Sequence, residues 1–168
     1  MIDILNPRSA VFSTDRRYRY ALIRSWHPGL KPLLFIGLNP STANEITDDP
    51  TIARLTHRAY LCGYGSLMAA NLFALVSSEP SRLLSEQDPV GPDTDAYLSE
   101  MVRRAGLVLV AWGSFTGVRQ LMNKRIDEIR NLVQEPYCLG TTKDGFPKHP
   151  LYISYKVPFE PYEWKVRG

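Results

Sequence analysis

Three short runs of consecutive apolar residues punctuate the chain, at positions 33–38, 67–73 and 107–112. A continuous apolar run of this length is typical of a strand that is buried on both faces, as in parallel sheets. The segment 18–26 is rich in aromatic and β-branched residues and predicts a further strand near the N-terminus. Positions 137–139 predict the start of a short fourth buried strand.

Helical periodicity fills the intervals between these runs. Asp49 followed by Pro50 predicts a capped helix start, and Gly63 predicts its end. Asp93 opens a second helix, and apolar residues at helical spacing over 118–133 predict a third. The alternation predicts an α/β three-layer sandwich, with a mainly parallel four-stranded central sheet and an N-terminal strand extension. The polar, proline-rich segment 76–93 predicts a long loop, which in a compact domain is often functional.

Composition narrows the protein class. The 168 residues, 44% hydrophobic and 22% charged, fit one globular domain over positions 1–168. No run approaches the roughly 18 apolar residues of a membrane span, and the N-terminus lacks a signal-peptide pattern, so we expect a cytoplasmic protein without a membrane partner. Cys62 and Cys138 are too few for a four-cysteine metal site, and both are expected to be buried. The net charge of +3 permits a nucleic-acid partner without requiring one.

Candidate chemistry follows from the rule that α/β sheets bind ligands beyond the carboxyl ends of their strands. Polar or aromatic clusters stand after each apolar run, and a last cluster follows the fourth strand. We expect these clusters to converge at one edge of the sheet. They are Gly37-Leu38-Asn39-Pro40-Ser41, Asn71-Leu72-Phe73, Trp112-Gly113-Ser114-Phe115, and Lys143 together with Lys148-His149-Pro150-Leu151-Tyr152.

These clusters carry a resemblance to a known family. Asn39-Pro40-Ser41-Thr42-Ala43, Asp48-Asp49-Pro50-Thr51, Gly63-Tyr64-Gly65, Asn71-Leu72-Phe73, Ala111-Trp112-Gly113 and His149-Pro150-Leu151-Tyr152 stand in that order along the chain. Together they resemble domain-of-unknown-function family 1643, an uncharacterised family of bacteria and phages. The resemblance spans nearly the whole chain but implies no function.

A second resemblance does imply one. Gly37-Leu38-Asn39-Pro40 is similar to the first motif of the mismatch-specific branch of the uracil-DNA glycosylase superfamily. Asn71 stands where those enzymes place an asparagine that reads a pyrimidine edge. The stretch 109–115 resembles the leucine-rich strand of the classical branch, and His149-Pro150 resembles the start of the last motif. The resemblance implies a glycosylase-like fold and a nucleic-acid or nucleotide partner.

The sequence lacks an acidic residue that classical members of that superfamily carry. No aspartate follows Gly37, where classical members keep a carboxylate that orients water, and the last motif reads His-Pro-Leu-Tyr. Asp49 suits a helix cap, so Asp48 is the better candidate for a water-activating carboxylate.

The resemblance implies roles for the candidate residues in cleavage of an N-glycosidic bond. This reaction needs a hydrogen-bond donor to the departing base and a water molecule held in position. His149 is the expected donor, and Asn39 could hold water through its side-chain oxygen. Lys143 and Lys148 are the expected phosphate contacts. No metal set and no cofactor is predicted. The residues expected to bind substrate are Gly37, Leu38, Pro40, Ser41, Asn71, Phe73, Trp112 and Leu151.

Other interpretations stay open. Asn39-Pro40-Ser41 also suits a simple turn, and Trp112 and Phe73 also suit the hydrophobic core. The missing carboxylate favours a nucleotide- or nucleic-acid-binding module without catalysis. A different small-molecule hydrolase is the third hypothesis, although the chain has no Gly-x-Ser-x-Gly elbow and no phosphate-binding P-loop. The pattern does not decide the oligomeric state.

Overall fold

A computed structural model describes residues 2–164, and in this part of the chain seven strands form one mixed sheet with helices around it. The strands are β1 (Arg8–Phe12), β2 (Arg19–Ser25), β3 (Pro32–Gly37), β4 (Ser66–Asn71), β5 (Leu107–Val110), β6 (Pro136–Cys138) and β7 (Glu160–Pro161). The helices are α1 (Pro50–Leu61), α2 (Arg82–Ser85), α3 (Thr94–Arg104) and α4 (Arg119–Ile129), and a short 3-10 turn, Thr116–Val118, precedes α4.

The centre of the sheet is parallel. Its order is β1-β2-β4-β3-β5-β6-β7, and β3 pairs in parallel with both β4 and β5. The prediction that the three apolar runs form neighbouring parallel strands is therefore confirmed. Their continuous apolar character has the expected cause, since every residue of β3 and β4 is buried.

The prediction of a four-stranded, mainly parallel sheet is wrong both in the number of strands and in their relative directions. β1, β2 and β7 add to both sides of the parallel strands, and all three pair antiparallel to their neighbours. All seven residues of β2 are buried, so this strand belongs to the sheet core rather than to an extension. Because β2 runs against β4, its first residue reaches the edge at which β3 and β4 end.

Two apolar clusters pack on opposite faces of the sheet. On one face, Ile52, Leu55 and Ala59 of α1 pack with apolar side chains of the sheet. On the other face, side chains of α3 and α4 such as Met101 and Met122 complete the second cluster. The Asp49 carboxylate accepts a hydrogen bond of 2.9 Å from the backbone N–H of Ile52, as the predicted cap requires. α1 thus begins at the carboxyl edge of the sheet.

The segment 76–93 is mostly loop, as predicted, but contains the single turn of α2. Cys138 is buried, whereas Cys62 is exposed, contrary to prediction, because it stands at the C-cap of α1. Within residues 2–164, none of the helices has the length and apolar character needed to cross a membrane.

Candidate functional site

A small cleft of about 120 Å³ opens at the carboxyl edge of the sheet, beneath the start of α1. Residues 37–41 after β3, Asn71 at the end of β4, and His149 all line it. Three separate parts of the chain thus meet at one place, as the strand-end rule predicts. Sites for drug-sized ligands usually span about 300–1,000 Å³. This cleft is therefore of a size for a single ring or a small acid.

Gly37 creates the space at the bottom of the cleft. It lies opposite Asn71 in the register of β3 and β4. A Cβ at position 37 would stand 2.7 Å from Cζ of Phe35 and 2.8 Å from Oδ1 of Asn71, distances that real Cβ atoms do not reach. Only glycine fits here without displacing an aromatic ring or the amide.

Asn71 is buried with one amide atom unsatisfied. Its exposed fraction is 5%, and Nδ2 has no acceptor among the residues that the structure describes. Leaving a buried donor unpaired costs about 1–3 kcal/mol, and such groups are rare in folded proteins. Hydrogen bonding to neighbouring backbone therefore does not account for this amide, because Nδ2 has no acceptor there.

The side chain of Asn39 has a fixed orientation. Nδ2 donates to the carbonyls of Pro40, Leu75 and Ser77, at 3.1, 3.3 and 2.8 Å. These bonds tie the loop after β3 to the start of the long segment 76–93. They also settle the orientation of the amide, since only a nitrogen can donate to three carbonyls. Oδ1 is left as the atom that can accept from a ligand or a water.

His149 reaches the cleft from the segment after β6. Gly113, in the left-handed region at φ 75°, donates its N–H to the carbonyl of Pro147 at 3.0 Å and lies against Cβ of His149. The N–H of Leu151 donates to Nδ1 of His149 at 3.4 Å. Nδ1 is therefore an acceptor, which places the proton of a neutral imidazole on Nε2.

The pKa of His149 favours that neutral form. Partial burial of the ring lowers the pKa from its ordinary value of 6.5, and the negative charge of Asp49 opposes this shift. A neutral imidazole with its proton on Nε2 can donate a hydrogen bond without carrying a charge into the cleft.

The carboxylate of the cleft is Asp49 and not Asp48. Asp49 lines the cleft while it caps α1. Asp48 lies outside the cleft lining, where its Oδ1 accepts from Nη2 of Arg8 at 2.8 Å and from Nε of Arg24 at 2.7 Å. The structure thus places Asp49 rather than Asp48 where a carboxylate could act on a water in the cleft, because the helix that Asp49 caps begins there.

Several residues predicted to bind substrate lie elsewhere. Phe73 and Trp112 have 0% exposure and belong to the apolar core, because their strands carry these rings toward the face covered by α3 and α4. Leu151 is half-buried outside the cleft lining. Both lysines are exposed, with Lys143 at a separate cavity beside α4 and Lys148 over Gly140. Phe115, from the cluster after the third apolar run, does border the cleft.

Arg19 is the cleft residue that sequence reasoning missed. It lies at the start of β2, is 3% exposed, and lines the cleft beside Asn71. The strand-end rule searches after strands, whereas Arg19 begins one. Arg19 reaches this edge because β2 runs antiparallel to β4. The apolar pattern of the sequence does not indicate the direction of a strand.

Residues 19–151 match a protein family described as "Protein of unknown function (DUF1643)". The chain belongs to this family. The DUF1643 match begins at Arg19 and ends at Leu151, so it contains every residue that lines the cleft. No curated protein and no solved structure matches the chain.

In this DUF1643 member, the cleft offers amide, carboxylate, imidazole and guanidinium groups. The part of the chain that the structure describes contains no group of three or more histidine, cysteine, aspartate or glutamate residues arranged to hold a metal ion. The chemistry available from the chain itself is thus hydrogen bonding, proton donation and charge stabilisation.

Proposed function

We propose that the cleft binds a pyrimidine base, carried by a nucleic acid or a nucleotide, as a glycosylase-like domain would. The observation that carries this proposal is the buried amide of Asn71, whose Nδ2 has no hydrogen-bond partner among residues 2–164. An amide presents one donor and one acceptor side by side. The uracil edge presents the complementary acceptor at O4 and donor at N3.

The shape of the cleft supports the same ligand class. Its volume of about 120 Å³ suits one ring. Phe35 and Phe115 border it and offer apolar ring surface to a planar ligand. A whole nucleotide is larger, so its sugar and phosphate would remain at the mouth while the base enters.

Hydrolysis of the N-glycosidic bond is the activity that the polar groups favour. Water would add to C1′ of the sugar while the bond to the base breaks, and the base would leave with the bonding electron pair as an anion. His149, neutral and protonated on Nε2, would donate to the oxygen on which this charge develops. Oδ1 of Asn39 and the carboxylate of Asp49 would hold the water and take up its proton.

The surface beside His149 supports a nucleic-acid partner. Tyr152 is 91% exposed and follows His149 by three positions. An exposed ring next to a base pocket could fill the gap that an extruded nucleotide leaves in the stack. Lys148, which is also exposed, would contact phosphates nearby.

The test is incubation of the protein with oligonucleotides that carry uracil, hypoxanthine, mismatched thymine or damaged bases. Cleavage at abasic sites reports hydrolysis, and a mobility shift reports binding. Asn71→Ala should abolish both signals, whereas Asn131→Ala, at an exposed position after α4, should change neither. Abasic product supports the glycosylase activity. Binding without product supports a non-catalytic module, and the absence of both for every oligonucleotide would overturn the proposal.

A further inference from the structure

Four arginines are almost fully buried in the described part of the chain, and three of them have either a carboxylate partner or several backbone acceptors. Arg24 bonds the carboxylate of Asp48, and Arg125 pairs with Asp95 and Glu128. Arg58 has no carboxylate partner and its buried Nε lacks an acceptor, but its two terminal nitrogens donate three hydrogen bonds to backbone carbonyls of the segment 153–157. These three arginines have evident structural roles.

Arg19 differs from the other three in having a single acceptor for its side chain. The one hydrogen bond of the guanidinium runs from Nη1 to the carbonyl of Ala43, at 2.7 Å. Nε is buried and has no acceptor, and no carboxylate of the described residues lies within ion-pair distance. A buried charge without a partner is unfavourable and is retained where a ligand or a reaction uses it.

The surroundings of Arg19 are rich in donors. The cleft that Arg19 lines also holds Asn71, whose Nδ2 lacks an acceptor, and the N-terminal end of α1, which carries a partial positive charge. Asp49 is the one acidic side chain among the residues lining the cleft, and one of its oxygens is engaged by the N–H of Ile52. Burial lowers the pKa of Arg19 to about 10, although the negative charge of Asp49 opposes this shift, so the guanidinium remains charged at neutral pH.

We infer that the ligand of this cleft carries an anionic group, either a carboxylate on the base or a phosphate on the sugar, and that Arg19 binds it. This inference rests on the proposed function and names the substrate class more narrowly. The planar guanidinium can give two parallel hydrogen bonds to an oxyanion from the nitrogens that lack acceptors. An anionic ligand would thus neutralise the buried charge and satisfy its donors together.

Calorimetric titration with two pairs of ligands tests the inference. Uracil is compared with uracil-6-carboxylate, and uridine with uridine 5′-monophosphate. The wild-type protein should bind the anionic member of one pair about 10- to 100-fold more tightly than the neutral member. The pair that shows the difference identifies the source, a carboxylate on the ring or a phosphate on the sugar.

Arg19→Gln should remove the preference while neutral ligands keep their affinity. Arg24→Gln is the matched control, because Arg24 lies on the same strand, is equally buried and stands outside the cleft. Arg19→Lys keeps the positive charge but loses the planar pair of N–H donors of the guanidinium. This variant should therefore retain part of the preference for anionic ligands. If Arg19→Gln does not fold, Arg19→Lys serves as the variant that tests the role of Arg19 in binding the anionic group.

The two proposals fail in different ways. Equal binding of neutral and anionic ligands by the wild-type protein would overturn the inference and leave base binding intact. An anionic preference that persists in Arg19→Gln or Arg19→Lys without loss would also overturn it. Binding of none of the four ligands would overturn the inference, and it would overturn the proposed function as well if no oligonucleotide is bound or cleaved.

Discussion

The amide of Asn71 occupies the space that a side chain at Gly37 would need. The two residues face each other across β3 and β4, and Oδ1 of Asn71 lies 2.8 Å from the ideal Cβ position of residue 37. The glycine and the asparagine therefore form one unit, in which the missing side chain of one residue lets the other reach into the cleft.

Gly37→Ala should close the cleft and destabilise the fold. The added methyl would meet Phe35 as well as Asn71, and overpacking of a rigid interior costs about 1–3 kcal/mol. Denaturant unfolding should show this loss, and base binding should disappear. Gly117→Ala is the control, because a Cβ there meets no atom within 4 Å. Wild-type affinity in Gly37→Ala would show that the cleft is not where the base binds.

Asn71→Asp should shift base preference from uracil toward cytosine. The substitution removes the amide donor, and the new carboxylate can accept from N4 of cytosine. One mispaired buried group costs about 1–3 kcal/mol, which corresponds to a roughly five- to hundredfold change in the ratio of affinities. The ratio is measured by the binding of each protein to matched strands that contain uracil or cytosine. An unchanged ratio would assign Asn71 a structural role, with base recognition elsewhere.

The low pKa of His149 should make stability fall on mild acidification. Burial holds the folded-state pKa below the ordinary 6.5, so between these two values the unfolded chain binds more protons than the folded one. The free energy of unfolding should therefore decrease as the pH falls through this window, and then level off. His149→Gln should remove this component of the decrease. An NMR titration that places the midpoint of His149 at or above 6.5 would contradict the expectation.

Arg58 should act as a positioning residue for the segment that follows His149. Its guanidinium donates to the carbonyls of Ile153, Ser154 and Val157, at 3.0, 2.8 and 3.0 Å. Arg58→Met leaves these carbonyls without their donor, at a cost of about 1–3 kcal/mol. Amide exchange over 150–159 should accelerate in this variant. Arg103→Met, on the exposed side of α3, should leave exchange there unchanged.

Lys143 and Lys148 should add to the salt dependence of nucleic-acid binding if they contact phosphates. Each phosphate contact contributes about 0.7–0.9 to the slope of log affinity against log salt concentration. The double alanine variant should bind more weakly, with a slope that is flatter by up to about two. Lys31→Ala, in the turn before β3, is the control. An unchanged slope in the double variant would show that this charge is incidental.

The sequence was sufficient to predict the parallel strands and the start of α1. Apolar runs with every residue buried leave little choice of structure, and Asp49-Pro50 is a strong local signal. The strand-end rule then brought Asn39, Asn71 and His149 together. Each of these residues follows a strand or stands in a motif that resembles a strand-end motif.

The rest depended on information that local patterns do not carry. The direction of β2 is set by its pairing with β4 far along the chain, so neither the mixed sheet nor Arg19 could be predicted from the N-terminal segment. Phe73 and Trp112 were assigned to substrate because they stand beside motif residues. The side of the sheet on which a ring falls depends on where its strand ends, and strand bounds are the least certain feature of a sequence.

The segments that flank the family match form both edge strands of the sheet. β1 pairs along β2 and β7 pairs with β6, and both lie outside residues 19–151. A chain trimmed to the family segment would keep the whole cleft but bare the backbone N–H and C=O groups of β2 and β6. Unpaired strand edges are templates for aggregation. Removal of the flanking segments would thus move one edge of the sheet from the five residues of β1 to the seven residues of β2, all of which are buried in the full chain.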